Sequence, residues 1–84
     1  MFKVEITSGA KKELKRISRL HKQAIALAIE EIRDDPTIGK PLTRELTGRY
    51  SYRVGVYRII YKINSEDKIV YILTAGHRAK VYGN

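Results

Sequence analysis

Residues 50–61 read YSYRVGVYRIIY, and dividing this stretch into two strands around Gly55-Val56 decides the fold. A two-residue loop with Gly at its first central position suits a type II′ turn, whose twist matches the strands it joins. That register sets Val54 against Tyr57, Arg53 against Arg58, Tyr52 against Ile59, Ser51 against Ile60 and Tyr50 against Tyr61. Opposed residues share a face, so Tyr50, Tyr52, Val54, Tyr57, Ile59 and Tyr61 form one apolar side. Ser51, Arg53, Arg58 and Ile60 form the other. Two like charges facing each other weaken a hairpin by a few tenths to about 1 kcal/mol. A bound phosphate reverses that sign, because guanidinium forks match phosphate oxygens. A solvated pair, spread into water or neutralised by Glu45 or the Glu66-Asp67 turn, is the other reading the residues allow.

Outward from the hairpin, Phe2 to Ile6 alternates apolar and polar and predicts a half-buried strand. Thr7 or Ser8 then caps a helix whose inward residues are Ala10, Leu14 and Ile17. A second helix is expected from about Leu20 to Arg33, with Ile25, Ala28, Ile29 and Ile32 as its apolar stripe and Asp34-Asp35-Pro36 as its stop. The two stripes run out of phase, which favours a helical hairpin over one continuous helix. Residues 36–48 hold both prolines and predict a loop anchored by Leu42 and Leu46. Strands follow at about 49–54, 57–63 and 68–75, the last two joined by the polar turn Asn64-Ser65-Glu66-Asp67. Ile69 to Leu73 is apolar on both faces, as a central strand requires. The layout is β-α-α-β-β-β: an α+β, two-layer single domain over residues 1–84. Its amino-terminal helical hairpin packs on one face of a mostly antiparallel sheet, leaving the other face at least partly open.

The composition narrows the function. Seventeen Lys and Arg against nine Asp and Glu give a net charge of +8. Most of that excess sits in residues 40–62, where Lys40, Arg44, Arg49, Arg53, Arg58 and Lys62 meet Glu45 alone. Such clustering favours a polyanionic partner, either nucleic acid or an acidic protein. A chain without Cys and with only His21 and His77 argues against a transition-metal site. No cofactor is expected, since Gly-rich phosphate loops and nucleophile-elbow motifs are missing. No apolar run approaches the roughly 20 residues that span a bilayer, and MFKVEITSG lacks a secretory core, so the expected location is cytoplasmic.

The tail GHRAKVY, residues 76–82, adds His77, Arg78, Lys80 and Tyr82 beside the arginine-bearing strands. Imidazole titrates nearest neutrality and serves as a proton carrier, while a tyrosine stacks on a base or donates its hydroxyl. Convergence of these groups with Arg53 and Arg58 on the open face predicts metal-independent phosphate chemistry.

The run L-x-G-x-Y-x-Y-R-V-G-x-Y-R-I-I-Y, followed by HRxxVY, resembles the RelE/ParE superfamily of bacterial and archaeal toxins. The resemblance spans essentially the whole chain. It implies a toxin neutralised by a cognate acidic antitoxin. For RelE-type members it also implies ribosome-dependent cleavage of mRNA in the A site, by attack of the RNA 2′-hydroxyl on the adjacent phosphorus. By position, Arg58 is expected at the scissile phosphate, with Arg53 and Arg78 as further cations. Tyr82 falls at the carboxy-terminal tyrosine that stacks on or deprotonates the nucleotide. Lys40, Arg44, Arg49 and Lys80 are the expected RNA-phosphate contacts. The chain departs from the best-known nucleases in having Gly55 where they carry a second lysine, and in having His77, a substitute proton carrier. The ParE branch shares the fold and poisons DNA gyrase without cutting RNA. That branch, or an inactive basic nucleic-acid binder, is the alternative.

Overall fold

The computed structural model describes residues 2–77. Strand β1 (Lys3–Ile6) leads through Thr7 into helix α1 (Ser8–Lys15). Thr7 caps α1 by accepting the Ala10 amide at 3.2 Å, and its hydroxyl donates to the Leu73 carbonyl at 3.2 Å. Helix α2 (Arg19–Asp34) starts after Ser18, whose backbone is extended. The helical hairpin is therefore real, and buried Ile17 pins its turn to the core. Asp35, just before Pro36, ends α2. Its carboxylate accepts the hydroxyl and amide of Thr37, bonds that hold it below the usual carboxylate range.

Strands β3 (Arg49–Val54), β4 (Tyr57–Asn64) and β5 (Ile69–His77) follow the expected order, and the sheet reads β1-β5-β4-β3-β2. Every hairpin rung, from Arg49–Lys62 to Val54–Tyr57, lies in the register read from the turn. Gly55 supplies the positive φ of +61° that a type II′ turn needs at its first central residue. Three of the four strand pairings are antiparallel, and β1 runs parallel to β5.

One element departs from expectation. Within the predicted 36–48 loop, β2 (Lys40–Pro41) pairs with Ser51 and Tyr50 and extends the sheet beyond β3. Pro41 lacks an amide to donate, which an edge strand tolerates. Leu42 and Leu46 are half-buried and stay outside the main buried cluster, so they do not anchor the loop in the core.

Ile25 and Ile32 of α2 meet Ile59, Tyr61, Val70 and Ile72 between the layers, and Ala10 and Ala28 let the helices approach closely. Each fully buried Ile contributes about 1.5–3 kcal/mol. The Tyr52 hydroxyl donates to Glu31 at 3.0 Å, tying β3 to α2, and this bond raises the phenol above its ordinary pKa. No helix among the described residues is long and apolar enough to cross a membrane.

Candidate nucleic-acid interface

The face of the sheet away from the helices carries its cations in rungs. Arg53 opposes Arg58 near the hairpin tip, and Arg49 opposes Lys62 four residues further along, about 13 Å away. Lys40 pairs with Ser51 and so shares this face. Arg49, Lys40, Arg53 and Lys62 are exposed, whereas Arg58 is half-buried with its Nε inside. Among the described residues Glu45, Glu66 and Asp67 make no ion pair with Arg53; Asp67 instead closes its own turn with Asn64.

Arg58 is flanked on its other side by Gly76, which places no side chain next to the guanidinium. The middle of the face is closed. Ser51 and Ile60, expected to lie open beside the arginines, are 7% and 5% exposed. The cationic rungs thus flank a buried centre.

His77 does not join the arginine face. It pairs with Tyr57 on the helix side, with ring centroids 6.0 Å apart, while His21 contacts the same tyrosine at 5.0 Å. The cause is a β-bulge. Ile60 pairs with Thr74 and Tyr61 with Ile72, so Leu73 is an extra residue. Val70 and Ile72 point inward, and strict alternation from them turns His77 outward. The extra residue inverts that parity, so Ala75 and His77 point inward instead. Glu13 of α1 holds the bulge by accepting the Thr74 hydroxyl at 2.6 and 2.8 Å and the Ala75 amide at 3.1 Å.

Of the other expected site residues, Arg44 lies exposed in a 3-10 turn with a strained φ of +58°. Such a backbone costs on the order of 1 kcal/mol, and the Thr47 amide and hydroxyl on the Arg44 carbonyl, at 3.0 and 2.7 Å, hold it there. Arg78, Lys80 and Tyr82 lie outside the described residues. Lys62 joins the site without having been expected there, although carrying the hairpin register one rung past Tyr50–Tyr61 places it opposite Arg49.

Comparison with known proteins gives this surface its context. A profile of the ParE toxin of type II toxin–antitoxin system, parDE, matches residues 4–82. The chain belongs to this family. It is thus a toxin of the RelE/ParE superfamily, and its curated relatives fall on the RelE-like side. It is 36% identical over 83 residues to toxin RelG of Mycobacterium tuberculosis, covering 96% of this chain and 95% of that protein. To toxin RelE of the same organism it is 29% identical, covering 96% and 86%. The toxin–antitoxin complex RelBE2 of M. tuberculosis contains a chain matching this RelE/ParE toxin with a TM-score of 0.85 at 35% identity, over 92% of this chain and 98% of that one.

Proposed function

We propose that this toxin is a ribosome-dependent mRNA endoribonuclease whose side-chain cations do the work that metal ions do in other nucleases. The observation that carries the reading is Arg53 facing Arg58 across one rung, on the sheet face turned away from the helices. Two guanidinium groups held in one place stabilise the charge that builds on phosphoryl oxygens in the transition state. In the proposed reaction the RNA 2′-oxygen bonds to the adjacent phosphorus and the bond to the 5′-oxygen breaks. A base takes the 2′-hydroxyl proton and an acid protonates the leaving oxygen, giving a 2′,3′-cyclic phosphate and a 5′-hydroxyl.

Arg58, beside the side-chain-free position at Gly76, takes the scissile phosphate. Arg53 shares its charge, and Lys40, Arg49, Arg44 and Lys62 steer the flanking strand. Arg78 and Tyr82 carry the roles that the family resemblance gives them, as cation and as stacking or proton-transferring group, with Lys80 as a further phosphate contact. His77 is turned to the helix face, away from the arginines, so the proposed proton transfer falls first to Tyr82.

An acidic antitoxin is the proposed partner, supported by the toxin–antitoxin complex of the M. tuberculosis relative. Leu20 and Leu27, 73% and 64% exposed on α2, suit an amphipathic antitoxin helix, and acidic groups beyond it reach the arginines. Calorimetric titration with the product of the adjacent reading frame tests this, and absence of binding removes it.

The test of the reaction is inducible expression with mRNA ends mapped by primer extension and plasmid supercoiling followed in parallel. New ends in translated regions, lost in Arg58→Ala, support the nuclease. The ParE profile keeps gyrase inhibition as the second reading. Intact mRNA with altered supercoiling selects it.

A further inference from the structure

A cleft of about 270 Å³ opens on the helix face at the end of β5, behind the facing arginines. Its floor is apolar, made by Ile17 and Ala75. Tyr57 and His77 form an aromatic wall, and His21 braces Tyr57 from a further side. Arg16, exposed just after α1, stands at the rim and makes no ion pair among the described residues. Glu13 enters from α1 with Oε1 occupied by the Thr74 hydroxyl and the Ala75 amide. Its Oε2 receives the Thr74 hydroxyl alone, which leaves this oxygen of a cleft-lining residue with acceptor capacity.

We infer that this cleft is a second RNA subsite, holding one nucleotide with its base against Tyr57 and its phosphate on Arg16. Single-stranded RNA is recognised by bases laid on aromatic rings or guanidinium planes, with hydrogen bonds to their edges. The cleft supplies each part: an aromatic wall, an apolar floor, a cation at the rim and a carboxylate oxygen for a base N–H. Its volume lies just under the usual range of ligand pockets, so it takes a base while the phosphate stays outside on Arg16. Gly76 lines the cleft and also pairs with Arg58, so the two sites are separated by the backbone of one strand end. The β-bulge that removes His77 from the arginine face is what builds this wall. RNA as the ligand class rests on the RNA-cleaving reading, yet occupancy of the cleft is measurable without cleavage.

The experiment uses the full chain carrying Arg58→Ala, titrated with adenosine 5′-monophosphate while the ring resonances of Tyr57, His21 and His77 are followed by NMR. Saturable shifts on these rings are expected. Arg16→Ala should weaken the affinity about tenfold or more, and Tyr57→Leu should do the same. Inorganic phosphate and adenosine alone should each bind more weakly. Shifts confined to Arg53 and its neighbours on the sheet face away from the helices, with the three rings unmoved, or no shifts at all, overturn the subsite. Inorganic phosphate reproducing the nucleotide's shifts at equal affinity also overturns it, since the cleft then holds an anion without a base. Arg16 is exposed, so its variant remains informative even where Tyr57→Leu fails to fold. Cleavage by the wild-type chain against Arg58→Ala tests the nuclease reading separately, and neither result stands in for the other.

Discussion

Glu13 of α1 receives the Thr74 hydroxyl at 2.6 Å, beside the extra residue in β5. This contact joins two groups 61 residues apart and fixes which way the end of β5 faces. Bulges recur next to functional sites because they re-aim a side chain. Here the re-aimed side chain is His77.

Glu13→Ala removes the acceptor from both Thr74 and the Ala75 amide. Loss of these charge-assisted bonds should destabilise the fold by about 1–3 kcal/mol in urea titration. The nuclear Overhauser contact between the His77 and Tyr57 rings should weaken with it. Glu13→Gln keeps an uncharged acceptor and should cost less. An Ala variant as stable as wild type, with the ring contact intact, would show that the bulge holds itself.

Tyr61 joins the 36–39 turn to the sheet. Its hydroxyl accepts the Gly39 amide at 2.9 Å and donates to the Pro36 carbonyl at 2.6 Å, entirely inside the protein. Tyr61→Phe leaves both partners buried and unsatisfied, at a cost of about 1–3 kcal/mol. Gly39→Ala should be worse, because a Cβ there overlaps the Tyr61 hydroxyl. Thermal unfolding of the two variants should rank Gly39→Ala below Tyr61→Phe.

The same phenol predicts an alkaline weakness. Burial pushes the Tyr61 pKa up to about 12, against 10 in the unfolded chain. Between those values the unfolded state has released a proton that the folded state keeps, so stability falls as pH rises. The contribution is intact below pH 10, and its loss reaches roughly 2–3 kcal/mol near pH 12. Urea titrations of wild type and Tyr61→Phe from pH 9 upward isolate it: the gap between the two should narrow as pH rises. A constant gap would mean that the phenol titrates alike in both states.

Arg53→Glu separates stability from activity. Converting the like-charge rung to an opposite-charge pair should stabilise the hairpin by about 0.2–1 kcal/mol. Losing one cation at the phosphate should lower cleavage about 100-fold or more. A less stable variant would mean that the arginines do not repel each other in the free protein. Full cleavage would take Arg53 out of the proposed site.

Features under local geometric control are legible from neighbouring residues alone. Helix periodicity located α1 and α2, and the Gly55 turn fixed every rung of the hairpin, so the placement of Arg53 opposite Arg58 follows from chain order alone. Counting alternate residues works only while a ladder is unbroken. In β5 one extra residue, Leu73, next to the Thr74 and Ala75 groups that a carboxylate from a distant helix holds, turns His77 away from the arginines to which the tail pattern assigns it. The parallel β1–β5 pairing, the short β2 edge and the burial of Ser51 and Ile60 are likewise settled between segments far apart in the chain. Those contacts depend on which surfaces meet once the layers pack, and no window of neighbouring residues contains them.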